Sequence, residues 1–345
     1  MANLSTKYMG LNLKNPIVIG SSGLTNNLAN LIEMEKNGAA AVVIKSIFEE
    51  QISLETEKLM KDKDNEKIKD FSASFGNYEN ASDSEYYEAY SYILNHAKDQ
   101  TLNDYLKFIA DAKKAVNIPI ISSINCVSAY NWHYFARKIE EAGADALEIN
   151  LYILPSNLAR SAEENEQVYF DVVEAIKKVV SIPVSLKLGF YFSSLGQSII
   201  KLSKTGVDGL VLFNRPYTPD IDIDKFEFNA GNITSHNYDY AQSMRWVGIL
   251  SGRLDCDIAA ATGIHDETAV IKQLLAGANV VQITSTLYEN GYEQIKKIVD
   301  GLENWMKSKN FNSIDEFRGK MSQKNIENPA AYERVQFMKL YSKIE

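Results

Sequence analysis

A motif that recurs four times constrains the fold of this chain more than any other feature. It occurs as NGAAAVVIKS (37–46), AGADALEINL (142–151), TGVDGLVLFN (205–214) and AGANVVQITS (276–285). In each copy a glycine closes an amphipathic helix, a short turn follows, and an apolar strand then ends on a polar residue. A strand that is apolar on both faces is typical of a parallel sheet covered by helices.

Four further apolar runs extend the pattern, namely PIVIG (16–20), IPIISSI (118–124), IPVSLKL (182–188) and CDIAAAT (256–262). Together the runs predict eight strands, at about 17–20, 41–45, 119–124, 146–151, 183–188, 208–213, 256–261 and 279–284. Eight strands that alternate with helical patterns predict an α/β fold of the (β/α)8 TIM-barrel type, with its active site at the carboxyl ends of the strands. A doubly wound open sheet is the alternative.

The domain organisation follows from one abnormal interval. We predict a single barrel domain over 1–345, with a long insertion after strand 2 at 47–102 and a C-terminal extension at 320–345. The first part of the insertion is highly charged and is interpreted as a solvated surface. The second part is rich in Tyr, Asn and Ser, and two interpretations stay open for it: a lid over the site, or a surface segment.

Composition limits the partners. Lys and Arg number 36 against 45 Asp and Glu, a net charge of -9, so nucleic acid is not an expected partner. Cys126 and Cys256 have no CxxC spacing and the four histidines form no ligand pattern, so neither a disulfide framework nor a metal site is expected. Neither a signal peptide nor a membrane-spanning window is evident, and we expect a cytoplasmic protein that does not bind membranes.

Polar residues end the predicted strands, at what would be the mouth of the barrel: Ser21, Ser22, Lys45, Ser46, Asn125, Asn150, Lys187, Asn214, Thr262, Gly263 and Ser285. Two lysines and three asparagines suit a small molecule with anionic and amide-like edges. Lys187 has three interpretations: a cation facing a cofactor, a Schiff-base nucleophile, or an ion-pair partner of Glu148. His265 is interpreted as a helix-start residue rather than a catalyst.

Several segments, in order, resemble the dihydroorotate dehydrogenase family of FMN-dependent barrels. LKNPIVIGSSG is similar to the family's opening NP...ASG turn, EINL to its ELNLSCPN strand and VSLKL to its IKL strand. ATGIHD and LLAGANVVQITSTL resemble its phosphate-binding segments, and DEFRGKM (315–321) its C-terminal tail. The resemblance covers roughly residues 10 to 321.

The resemblance implies an FMN site and a reaction. Dihydroorotate would be oxidised to orotate, in pyrimidine biosynthesis, by transfer of a hydride to flavin N5 while a protein base removes the neighbouring proton. FMN would contact Ser21, Ser22, Lys45, Ser46, Asn150, Lys187, Asn214, Thr262, Gly263, Ser285 and Thr286. Substrate would contact Asn125, Asn150, Asn157, Asn214 and Arg215.

Partners follow from the same resemblance. A homodimer is expected. Two cysteines cannot supply the four thiolates of an iron–sulfur cluster, so any such centre would lie on a redox partner subunit.

Departures from the family pattern concern the catalytic base and the residues that bind the substrate. The family's NLSCPN loop reads NLYILPSN here, which leaves Ile153 or Leu154 at the position of the cysteine base. Tyr152 and Ser156 are the nearby acid/base candidates, with Lys187 as the third residue assigned to catalysis. The family's NSMGLPN loop is absent, and Arg215 either clamps a carboxylate or covers the rim. Two other functions therefore stay open: a lysine-dependent lyase or aldolase barrel, and a non-catalytic flavin electron carrier.

Overall fold

The computed structural model describes residues 2–48, 101–125, 132–215, 218–231 and 233–333. Most of the predicted insertion, including the segment interpreted as a lid, lies outside the described residues. So do Cys126 and residues 334–345 of the C-terminal extension.

Eight parallel strands close into a barrel. They are β1 (Ile17–Ile19), β2 (Ala41–Val43), β3 (Ile120–Asn125), β4 (Ala146–Leu151), β5 (Val184–Leu188), β6 (Gly209–Leu212), β7 (Asp257–Ala261) and β8 (Val280–Ile283). Around the barrel the order is β2-β1-β8-β7-β6-β5-β4-β3, and pairing of β2 with β3 closes the ring. The predicted TIM barrel is confirmed, with every predicted strand end within two residues of the observed one.

Helices alternate with the strands along the chain. They are α1 (Leu28–Lys36), α2 (101–115), α3 (Trp132–Glu141), α4 (Ala162–Lys177), α5 (Leu195–Ser203), α6 (Tyr240–Leu250), α7 (Glu267–Ala276), α8 (Ser285–Asn290) and α9 (Glu293–Ser308). Short 3-10 helices occupy Gly23–Thr25, Ile314–Glu316 and Pro329–Tyr332. Within the described ranges, no helix is both long and apolar enough to cross a membrane.

Alternate residues of each strand face different layers, as the two-residue period of a strand requires. Ile17, Val42 and Leu210 belong to the large cluster between strands and helices. Their neighbours Val18, Ala41 and Val211 belong to a second cluster, which therefore fills the inside of the barrel. This division fixes which polar residues point into the barrel.

An antiparallel hairpin at the N-terminus, Thr6–Tyr8 with Leu11–Leu13, closes the amino end of the barrel. Its buried residues Tyr8, Met9 and Leu13 join the inner cluster. The backbone N–H of Met9 also donates to Asp257, the first residue of β7, at 2.8 Å. The opposite, carboxyl end of the strands is consequently the end that can admit a ligand.

A second hairpin lies between β6 and α6. Its strands are Pro219–Asp222 and Glu227–Ala230, and Ile221 opposes Phe228 across them. Ile221, Phe226 and Phe228 are 59%, 89% and 77% exposed, so the hairpin projects from the molecule instead of joining its core. Neither hairpin was predicted from the sequence.

Candidate active site

The side chains that point into the barrel become polar toward the carboxyl ends of the strands. On β4 the inward residues run from Ala146 through Glu148 to Asn150, and on β5 the inward residue near the end is Lys187. On β8 the inward residue after Val280 is Gln282. Polar groups from three strands therefore meet above the apolar floor of the barrel.

A buried network joins these strands. Lys187 Nζ donates to Gln282 Oε1 at 3.0 Å, and Gln282 Nε2 donates to Glu148 Oε2 at 2.5 Å. The second oxygen of Glu148 lies 3.7 Å from Lys187 Nζ, and the Glu148 side chain is 1% exposed. The ion pair considered from the sequence is thus present. Lys187 also lines a pocket at the carboxyl ends of the strands, so the ion pair with Glu148 leaves it able to face a ligand.

A pocket of about 170 Å³ lies at the carboxyl ends of the strands. Seven residues predicted from the sequence line it: Ser21, Lys187, Asn214, Arg215, Thr262, Gly263 and Ser285. Residues that were not predicted for the site also contribute, among them Ile233, Ser235, Gln282 and Thr284. The lining contains two cations, and no carboxylate occurs in the part of it that the structure describes. The pocket therefore favours an anionic ligand.

The turn after β7 brings backbone close to the pocket. Thr262 and Gly263 have φ angles of 75° and 76°, in the left-handed region. Thr262 Oγ1 donates to the carbonyl of Phe213 at 2.9 Å, which holds this disfavoured conformation. A Cβ atom on residue 263 would lie 2.1 Å from the backbone nitrogen of Tyr240, so only glycine fits.

His265 and Ser235 form a buried polar pair beside this turn. His265 precedes Asp266, the N-cap of α7, which agrees with its interpretation as a helix-start residue. Its side chain is nevertheless 5% exposed, and Nε2 lies 3.1 Å from Ser235 Oγ. Ser235 Oγ accepts from Gly263 N at 3.2 Å, and Ser235 N donates to Ser285 Oγ at 2.9 Å. Sequence reasoning missed Ser235 because it follows the unpredicted hairpin.

Other predicted site residues lie next to the pocket. Ser46 Oγ is 3.1 Å from Ser21 Oγ, and Asn214 Nδ2 donates to Asn150 Oδ1 at 2.8 Å. Thr286 is buried, and its hydroxyl donates to the carbonyl of His265 at 3.0 Å. Ser46, Asn150 and Thr286 do not line the pocket themselves, but they can position the residues that do.

Three more predicted residues, and Arg215 of the lining, lie around the mouth. Arg215 Nη1 donates to the carbonyl of Ile233 at 2.6 Å, so its guanidinium covers the rim. Ser22 caps a 3-10 helix by accepting from Leu24 N at 3.2 Å. Lys45 and Asn125 end or follow their strands, half-buried and outside the pocket lining.

The loop after β4 carries the acid/base candidates. The Tyr152 ring packs edge-on against Tyr191, with centroids 5.9 Å apart. Burial and contact with Tyr191 raise the pKa of Tyr152, so its phenol stays protonated at neutral pH. Ser156 and Asn157 are exposed, and the Asn157 side chain accepts from Ala159 N at 2.9 Å within its own loop.

Cys256 is not placed to act at the pocket. It precedes β7 at the amino end of the barrel, opposite the pocket. Burial raises the pKa of the Cys256 thiol to about 12, aided by nearby carboxylates including Asp257. Among the described residues, no group of three or more His, Cys, Asp or Glu is arranged to hold a metal ion.

Comparison with known proteins assigns the chain to a family. The family model described as "Dihydroorotate dehydrogenase" matches residues 81–306, about two thirds of the chain. The chain belongs to the dihydroorotate dehydrogenase family. Members of the dihydroorotate dehydrogenase family are flavin-dependent oxidoreductases that act on a CH–CH donor.

Individual relatives agree with this assignment over nearly the whole chain. Proteins of Thermoplasma acidophilum and Methanocaldococcus jannaschii are each 26% identical over 325 residues, which is 92% of this chain and 99% and 97% of theirs. A protein of Pyrococcus abyssi is 26% identical over 327 residues, 92% of this chain and 98% of its own. All three are named "Dihydroorotate dehydrogenase B (NAD(+)), catalytic subunit".

Proposed function

We propose that this protein is an FMN-dependent oxidoreductase that converts dihydroorotate to orotate in pyrimidine biosynthesis. One observation carries the proposal: a pocket at the carboxyl ends of the strands, lined by Lys187, Arg215 and amides without a carboxylate among its described residues. Dihydroorotate and FMN are both anionic, and both present amide-like edges that such a lining can bind.

The residues around the pocket fit a flavin. Lys187, fixed by Gln282 and Glu148, would face the electron-rich edge of the ring, where its charge stabilises negative charge. Asn150 and Asn214, already bonded to each other, would orient the ring and the substrate. Ser21, Ser22, Lys45 and Ser46 would support the ring from β1 and β2, and Thr262, Gly263, Ser285 and Thr286 would hold the phosphate end. When bound, FMN supplies the redox chemistry by accepting a hydride.

The substrate would lie over the same opening. Asn125, Asn157 and Arg215 are proposed to bind it, with Arg215 turning its guanidinium from the rim toward a carboxylate. For proton removal, Tyr152 and Ser156 remain the candidates. The raised pKa of Tyr152 suits a proton donor better than a base.

The visible spectrum of freshly purified protein tests the proposal. We expect the absorption of an oxidised flavin, identified as FMN after extraction, and its loss when dihydroorotate is added without oxygen. A flavoprotein that dihydroorotate does not bleach would refute the substrate while keeping the cofactor. A colourless protein that does not take up FMN, and whose Lys187 is trapped by borohydride with a carbonyl compound, would instead favour the lyase.

We also propose how the protein assembles. The relatives are named catalytic subunits, so a second subunit that passes electrons to NAD is the proposed partner. A homodimer of this chain is proposed from the family resemblance, and sedimentation of the purified protein would measure it. The cytoplasmic location stays a prediction.

A further inference from the structure

Ser235, His265 and Glu289 form a chain of polar groups that leads from the pocket to the protein surface. Ser235 lines the pocket and is 4% exposed. His265 Nε2 lies 3.1 Å from its hydroxyl, and Glu289 Oε2 lies 3.3 Å from His265 Nδ1. Glu289 is 43% exposed, so solvent can exchange protons at this end.

The carboxylate fixes the tautomer of a neutral His265. Nδ1 is buried and makes no well-formed hydrogen bond to a described residue, and Glu289 is the acceptor beside it. A lone pair on Nδ1 would face that carboxylate, so the proton belongs on Nδ1. Nε2 is then an acceptor, and Ser235 must donate its hydroxyl proton to it. Since Ser235 Oγ already accepts from Gly263 N, the hydroxyl has no proton to offer the pocket.

An anion in the pocket reverses this arrangement. If His265 takes up a proton, Nε2 becomes a donor to Ser235 Oγ, and the hydroxyl proton is free to point at the anion. The added positive charge lies between the anion and Glu289, which favours it from both sides. One proton from solvent balances the change, and no covalent bond forms or breaks.

The other charged groups near His265 are two hydrogen-bonded carboxylates and the two cations of the pocket lining. Asp266 caps α7 by accepting from Ala269 N, and Asp239, before α6, accepts from His236 N. Lys187 and Arg215, from β5 and the segment after β6, line the same pocket. These cations oppose protonation of His265 while the pocket holds no anion and are offset once an anion is bound. Proton uptake is therefore coupled to binding.

We propose that Ser235 and His265 form a proton-coupled site for a phosphate monoester, in which binding of the phosphate protonates His265. This inference rests on the proposed function, because the phosphate at this pocket would be that of FMN. It goes further by assigning Ser235, which lies outside the family-like motifs, by giving the His265 side chain a role in binding, and by adding a measurable proton.

Isothermal titration of the protein, stripped of flavin, with FMN at pH 8 tests the site in buffers of different ionisation enthalpy. A phosphate monoester is a dianion at this pH, so the ligand itself contributes little proton exchange. We expect the protein to take up about one proton per FMN bound, and none with riboflavin, which lacks the phosphate. The same uptake with both ligands would overturn the proposal.

Variants locate the proton. His265→Gln should abolish the uptake, whereas His133→Gln, at an exposed position on α3, should leave it unchanged. Ser235→Ala should weaken FMN binding about tenfold or more, as for loss of a hydrogen bond to a charged group, and leave riboflavin affinity unaltered. An unchanged proton count in His265→Gln, or equal weakening of both ligands by Ser235→Ala, would refute the assignment.

Inorganic phosphate separates this inference from the flavin proposal. If neither flavin binds but phosphate binds with proton uptake that His265→Gln removes, the FMN function fails and the phosphate site stands. If FMN binds without proton uptake, the flavin proposal stands and this inference fails. If phosphate and both flavins all fail to bind, both are wrong.

Discussion

Lys187 lies between a buried carboxylate and the open pocket, and its removal should be costly. In Lys187→Met, Glu148 would be left in the barrel interior without its cationic partner, because its side chain is 1% exposed. We expect the free energy of unfolding to fall by about 3 kcal/mol, the scale for breaking a buried pair on one side. Urea unfolding of the flavin-free protein measures this.

A surface pair provides the matched control. Lys178 and Glu174 are 2.6 Å apart, but their side chains are 68% and 67% exposed. Lys178→Met should therefore change stability by less than about 1 kcal/mol. If Lys187→Met proved equally mild, the interior contact would not be a charged pair, and the proposed electrostatic role of Lys187 would lose its basis.

Two glycines with similar positive φ angles allow the effect of a steric clash to be compared with that of backbone strain. Gly263 and Gly291 have φ angles of 76° and 72°, yet a Cβ would meet backbone at 2.1 Å only at Gly263, while Gly291 has nothing within 4 Å. Gly291→Ala should cost about 1–3 kcal/mol from backbone strain alone, because a positive φ with a ψ of -179° is a conformation that essentially only glycine adopts. Gly263→Ala should cost clearly more and displace the start of α6. Equal losses of thermal stability in the two variants would contradict this account.

The N-terminal hairpin should contribute to stability as part of the barrel core. Leu13 is 2% exposed and belongs to the inner cluster, whereas Asn12 in the same strand is exposed. Leu13→Ala should lower the free energy of unfolding by about 2–5 kcal/mol. Asn12→Ala should change it by no more than about 0.5 kcal/mol. Denaturant unfolding that showed equal effects would mean that the hairpin does not fill the barrel end in solution.

The barrel strands could be predicted from the sequence, but the two hairpins could not. Four of the eight strands follow a glycine and a turn, and this pattern repeats often enough to be recognised. The N-terminal strands have three residues each, too few for a period-two signal. Their turn also has Met9 at a φ angle of 52°, where turn rules expect glycine or asparagine. In PDIDIDKFEFNA (219–230), alternation of acidic and apolar residues was the signal that could have identified the second hairpin.

Only part of the candidate site could be predicted from the sequence. Residues that end strands were identified, because the barrel places all strand ends at one mouth. Gln282 was missed because it stands inside an apolar strand, although a polar residue at an inward position is itself informative. Ser235 approaches from the long segment between β6 and α6, and the position of such a segment depends on tertiary contacts.

At the scale of the whole molecule, ligand binding and folding are linked. The pocket draws on several strands and on both turns after β7 and β8, so it exists only in the folded chain. Under the proposed function, FMN at one hundred times its Kd should stabilise the protein by about 2.7 kcal/mol. Thermal unfolding with increasing FMN would measure this as a rising Tm. A Tm independent of FMN would contradict specific binding.

The exposed hairpin between β6 and α6 also bears on how the molecule avoids aggregation. A two-stranded sheet has unpaired backbone groups along both edges, and edges that carry Ile and Phe can recruit further strands. Asp220, Asp222, Asp224 and Glu227 alternate with those apolar residues. Because these carboxylates carry the same charge, the hairpins of two molecules repel one another. The carboxylates therefore disfavour pairing between hairpin edges in concentrated solution.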